Sequence, residues 1–151
     1  MANEIQADYA SGSTLYAVIR NATGAVWHTA GQAFEVWGTS GRTADDYHIG
    51  LADKNGSRHI GDFDTDIPAG RYFVQMFLQA GANPADSDNL VTGCEIVWSG
   101  TGQVTAEKML ANKAIQNKAS GTIEYYDDDG QTVLLAHTPT DEQTTITRTP
   151  A

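Results

Sequence analysis

Apolar and polar positions alternate most clearly over residues 67–79, IPAGRYFVQMFLQ. Pro68, Ala69 and Gly70 make a tight lead-in, after which Tyr72, Val74, Met76 and Leu78 alternate with Phe73, Gln75, Phe77 and Gln79. A period of two sends successive side chains to opposite faces of a strand. The second face also carries two Phe, so the pattern predicts a strand buried on both sides, in the middle of a sandwich. TLYAVIR, 14–20, has Leu15, Ala17 and Ile19 on one face and Tyr16 and Val18 on the other; with the turn Asn21-Ala22-Thr23-Gly24 and AVWH it predicts a hairpin over 14–28. AFEVW (33–37), YHIGLAD (47–53), SRHIGDF (57–63) and CEIVW (94–98) predict further short strands, with Asp53-Lys54-Asn55-Gly56 as a turn. Residues 1–12 read as a polar N-terminal arm, and 38–46 and 80–89 as loops. About seven short strands in roughly 90 residues is the spacing of an antiparallel β-sandwich, here over 13–103. Its expected core is Leu15, Ile19, Trp27, Tyr72, Val74, Met76, Ile96 and Trp98.

The pattern changes after residue 103. From Thr105 to Ala119 there is no Gly or Pro, and Ala, Lys, Leu, Met and Gln dominate. Leu110, Ala111, Ala114 and Ile115 form an apolar stripe, so one helix of about four turns is expected, capped by Thr105 and closed by Gly121. TIEYY, DDDG and QTVLLAHT then predict a β-hairpin broken by Pro139-Thr140-Asp141-Glu142, followed by a Thr-rich strand or extended arm at 144–149. This 104–151 segment is too short to bury both faces of a hairpin. It is expected to act as an assembly element through Ile123, Tyr125, Val133, Leu135 and Ile146. A homo-oligomer follows, with a trimer preferred over a dimer, and with the arms at 1–12 and 143–151 ordering against neighbouring subunits.

Charge narrows the partners. The chain has 151 residues, 19 acids against 9 bases, and a formal charge of −10, which disfavours nucleic acid and anionic membrane surfaces. One cysteine, Cys94, excludes an intramolecular disulfide, and its setting in GCEIVW predicts a buried, inert thiol. No secretion-signal pattern opens the chain and no apolar run has the length of a membrane span, so synthesis in the cytoplasm is expected.

Candidate chemistry is sparse. Asp62, Asp64 and Asp66 start like a calcium loop, but no Gly stands at the sixth position and Phe73 stands where the bidentate Glu belongs. Asp127–Asp129 and the cluster Asp86, Asp88 and Asn89 read as solvated turn residues. His28, His48, His59 and His137 lack zinc spacing, Ser99 lacks the Gly of a nucleophile elbow, and no phosphate-binding glycine loop is present. No catalytic, cofactor-binding or metal-binding residue is assigned, and a non-enzymatic role is expected. Trp27, Trp37 and Trp98 are expected in the core, with a carbohydrate-stacking platform as the alternative.

GSTLYAVIRNATGAVW, FEVWG, IPAGRYFVQMFLQAGANPADSD and GCEIVWSGTG together resemble the N-terminal module of phage and prophage virion proteins, itself similar to the immunoglobulin-like domain of baseplate upper proteins. ANKAIQNKASGTIEYYDDDGQTVLLAHTPTDEQTTITR resembles a C-terminal hairpin module of small phage structural proteins. In longer relatives of this kind a helical or repeat-rich stretch separates the modules; here one helix is expected to join them, which favours a compact accessory subunit over a fibre. The resemblance implies an immunoglobulin-like sandwich and a structural role in a bacteriophage virion. The preferred expectation is a capsid decoration (cement) protein bound to the major capsid protein. The alternative is a tail, baseplate or fibre-adaptor protein whose sandwich binds a receptor or carbohydrate.

Overall fold

The computed structural model describes residues 3–142 and 145–150, with side chains as far as Thr138. The chain divides into two compact units, 1–100 and 101–151. The protein is mainly β, with a large antiparallel, sandwich-like sheet system in the first unit and a small sheet in the second.

The first unit contains β1 (Ile5–Asp8), β2 (Leu15–Asn21), β3 (Val26–His28), β4 (Ala33–Glu35), β5 (Ile49–Asp53), β6 (Arg58–Gly61), β7 (Gly70–Leu78) and β8 (Asn89–Trp98), with a short helix α1 (Ala44–Tyr47) before β5. Strand β2 organises them. One edge pairs with β7 along its whole length, from Leu15 opposite Leu78 to Asn21 opposite Tyr72. The other edge is shared: Leu15–Ala17 pair with β5, and Arg20 pairs with Val26 of β3. The sheet therefore forks at β2, with β5-β6-β1 on one branch, β3-β4 on the other, and β8 beyond β7. Side chains from both branches meet those of β2, β7 and β8 in one core. All eight residues expected there are buried in it, joined by Ile5, Ala7, Ala17, Leu51, Phe63 and Ile67.

Two expectations about the strands fail in this unit. The strand buried on both faces is β2, not β7. Tyr16 and Val18 turn away from the main core into a second cluster with Val26, Ala44 and Tyr47. Helix α1, held by a reciprocal Thr43–Asp46 capping box, supplies two of those residues. The second face of β7 has less cover: Phe73 is 45% exposed, and Gln75 and Phe77 are half-buried. The expected N-terminal arm contains β1, which pairs with β6 from Ile5 opposite Gly61 to Asp8 opposite Arg58. Ile5 and Ala7 face the core while Gln6 and Asp8 face out, a period of two concealed by polar neighbours.

The second unit contains helix α2 (Ala106–Ala111) and strands β9 (Ala114–Gln116), β10 (Ile123–Tyr126), β11 (Val133–Glu142) and β12 (Thr145–Pro150), in the sheet order β12-β11-β10-β9. Thr105 caps α2, its Oγ1 accepting from the Lys108 N–H at 3.2 Å. The helix then stops at Asn112, whose backbone is extended. The expected four-turn helix is thus a short helix followed by a strand. Ala114–Gln116 pair with β10, satisfying backbone groups that a longer helix would have bonded internally. Leu110 is 88% exposed, so the stripe at helical spacing is not a buried face. Gly121, at φ 75°, closes the β9–β10 turn rather than a helix. Nor does Pro139 break β11. β11 runs on through it, pairing with β10 up to His137 and with β12 from His137 onward, where Pro139 stands opposite Arg148.

Candidate functional site

The acidic clusters are spent on holding turns and loops. Asp62 Oδ1 accepts from the Asn3 N–H at 3.1 Å, Asp64 Oδ2 from the Trp27 indole at 2.8 Å, and Asp66 Oδ2 from the Gln32 amide. Asp127 meets Lys108 at 2.6 Å, and Asp128 accepts from Asn112 at 2.9 Å. Asp129 accepts from the Gln131 and Thr132 N–H groups and the Thr132 hydroxyl, which together bring its carboxyl down to about 2. Asp86 Oδ1 accepts from the Ala44 N–H at 2.7 Å. Asp88 is buried and accepts from the N–H groups of Ala85 and Ala80 and the Tyr16 hydroxyl. Among the described residues no three His, Cys, Asp or Glu converge as a metal site.

The histidines are dispersed. His28 meets the Tyr47 ring edge-on, and His48 lies beside Asp45. His59 is fully buried, with Nε2 bonded to the Ser13 carbonyl at 3.0 Å. His137 packs edge-on against Tyr125. Cys94 is exposed on β8, correcting the expectation of a buried thiol. Partial desolvation raises its pKa, which disfavours the reactive thiolate.

Trp27 and Trp98 are core residues, their indole N–H groups donating to Asp64 and to the Ile67 carbonyl at 3.0 Å. Trp37 is half-buried beneath Arg20, whose Cζ lies 4.9 Å from the ring centroid. On the outward face of the first sheet, the Nε of Arg20 donates to Gln75 Oε1 at 2.8 Å and its Nη1 to the Gly24 carbonyl at 3.0 Å. Burial lowers the pKa of this guanidinium. Arg20 and Gln75 line two hollows. A larger one of about 570 Å³ is bounded by the Asn21–Gly24 turn, Phe73, Gly93 and Glu95. A smaller one of about 230 Å³ is bounded by Tyr16, Trp37, Phe77 and Asp86. Sequence reasoning did not single out Arg20, Gln75 or Gly93. The available signal was a cation placed at the end of the apolar run LYAVI.

The residues expected at an assembly interface are brought together in part. Ile123, Tyr125 and Leu135 are half-buried, with Tyr125 directly opposite Leu135 across the β10–β11 pair. The register shifts between Tyr125 and Tyr126, so Val133 lies opposite Tyr126 and is 41% exposed. Ile146 lies on β12 opposite Asp141, and its side chain is outside the described residues. Leu134, which sequence reasoning passed over, is the only buried large hydrophobic among the described side chains of this unit.

No helix among the described residues is long and apolar enough to cross a membrane. No family model, curated protein or solved structure matches the chain.

Proposed function

We propose that this chain is a non-enzymatic structural protein of a bacteriophage virion, a capsid decoration protein that oligomerises, as a trimer in preference to a dimer, and binds the major capsid protein. The resemblance of its strand and turn motifs to phage virion modules motivates the reading. The observation that carries it is the shortage of core in the 101–151 unit. Leu110, Ile115 and Val133 are exposed at 88%, 42% and 41%, while Ile123, Tyr125 and Leu135 remain half-covered. A small sheet of this kind gains stability by burying such faces against other chains, and closed symmetry limits the assembly. Repetition over a symmetric shell then turns weak contacts into firm attachment. The acidic side chains described above serve as structural acceptors, which accords with a role without chemistry.

Imaging of particles carrying the labelled protein tests this reading. Copies numbering in the hundreds per particle would place it on a capsid, while a few to tens would place it in a tail. The second reading, a tail or baseplate adaptor with a receptor- or carbohydrate-binding sandwich, draws on the smaller hollow. There, Trp37, Tyr16 and Phe77 lie beside Arg20, Gln75 and Asp86, a combination of aromatic faces and planar polar groups that suits a sugar ring.

A further inference from the structure

We propose that the larger hollow on the outward face of β2, β7 and β8 is a binding site for a carboxylate carried on an apolar body, with the Arg20 guanidinium as the anion receptor. The inference holds whichever part of a virion the chain belongs to, and does not require that it belong to one.

It begins with an imbalance of charge. The chain carries 19 acids and only 9 bases, and in the first unit the other cations with ion pairs meet carboxylates directly, Arg42 with Glu35 and Arg71 with Glu95. Arg20 makes no ion pair among the described residues. Its partners are the neutral oxygens of Gln75 and Gly24 and the face of Trp37, and its Nη2 has no hydrogen bond to a described residue. A half-buried cation held by neutral groups has given up hydration without recovering it from a counter-charge. The same contacts fix the guanidinium plane, so little further ordering is needed to bind a carboxylate through the remaining N–H groups.

The hollow itself selects between anions. Phe73, 45% exposed, supplies an apolar wall. Gly93 stands opposite Gln75 on the neighbouring strand, and the lack of a side chain there keeps the surface open. The one acid in the larger hollow, Glu95, is engaged by Arg71 at 3.3 Å, and Arg20 is the one cation in its lining. The smaller hollow sets the Asp86 carboxylate, held by the Ala44 N–H, in the same lining as Arg20, and is the poorer anion site. Apolar lining and a single fixed cation fit a carboxylate attached to an aromatic or branched aliphatic group.

The test uses the full chain, with the backbone amide resonances of Phe73 and Gln75, which line the hollow, as reporters in every variant and the Arg20 Nε–H as an additional one in the unaltered protein. N-acetyl-L-phenylalanine, its neutral amide and the peptide N-acetyl-Phe-Glu-amide are titrated separately. The expected result is a saturable shift with either acid and at least about tenfold weaker binding of the amide, a loss of about 1.4 kcal/mol. Preference for N-acetylphenylalanine assigns the site to a terminal or free carboxylate; preference for the Glu peptide assigns it to an acidic side chain. Arg20→Lys should retain a reduced acid preference, and Arg20→Gln should abolish it. Gly93→Leu should weaken every probe by filling the hollow. Equal binding of acid and amide, or no saturable shift at the solubility limit of both acids, would overturn the proposal. The acid–amide comparison on the unaltered protein decides the matter even if a variant fails to fold.

Discussion

The Tyr16 hydroxyl donates to Asp88 Oδ2 at 3.2 Å, tying the centre of the fold to the 80–89 loop. Asp88 also accepts from the Ala85 and Ala80 N–H groups, and these, ahead of the tyrosine, hold its carboxyl below the ordinary range. A depressed folded-state pKa contributes stability that is complete above the unfolded value and disappears as pH falls through the folded one. Asp88→Asn should therefore lower the melting temperature at neutral pH, and the gap from the unaltered protein should close as the pH is taken into the acid range. A gap independent of pH would show that the charge is not what matters. Tyr16→Phe removes one of the three contacts and should cost about 1 kcal/mol.

The faces of β7 give a sharper contrast. Val74 is 1% exposed within the main core, and Phe73 beside it is 45% exposed. Val74→Asp buries an unpaired charge and should cost more than about 4 kcal/mol. Phe73→Asp leaves its charge at the surface and should cost less than about 1 kcal/mol. Denaturant unfolding of both variants checks the assignment; similar losses would refute it.

Alternation makes the main core legible in the sequence, because Leu15, Ile19, Tyr72, Val74 and Met76 repeat at a spacing only a strand satisfies. Strand β1 is hidden there because Ile5 and Ala7 are too few to stand out among polar neighbours. The 105–119 segment misleads for a different reason. Its composition favours a helix, but pairing of Ala114–Gln116 with β10 is a tertiary interaction that local propensity does not contain. The Arg20 site is illegible for the same reason: Arg20 and Gln75 are 55 residues apart in sequence, and only the β2–β7 register brings them together.

The β10–β11 turn offers a titration. Asp129 is brought to about 2 chiefly by the Thr132 hydroxyl, then by the Thr132 and Gln131 N–H groups. Carbon-detected NMR should find this carboxyl still ionised at pH 3, where an ordinary aspartate is largely protonated. Thr132→Val deletes the leading contact and should move the midpoint upward. Since the folded-state pKa is the lower one, the turn keeps its contribution above about pH 4 and loses it as pH falls towards about 2. An Asp129 midpoint unchanged by Thr132→Val would sink this account.

The final prediction separates folding from assembly. The first unit has its own continuous core, and every member of that core lies within residues 1–100. Truncation after Ser120 removes β10, β11 and β12, and with them the pairing partner of β9. The shortened chain should still unfold cooperatively with Trp27 and Trp98 buried, while losing the apolar positions Ile123, Tyr125, Val133 and Leu135. If those positions drive assembly, light scattering should find a monomer, and sedimentation with particles should find no binding. A shortened chain that still forms oligomers and still binds would move the interface to the first unit, where the exposed side chains of Phe73, Leu90 and Val97 on β7 and β8 would be the next surface to alter.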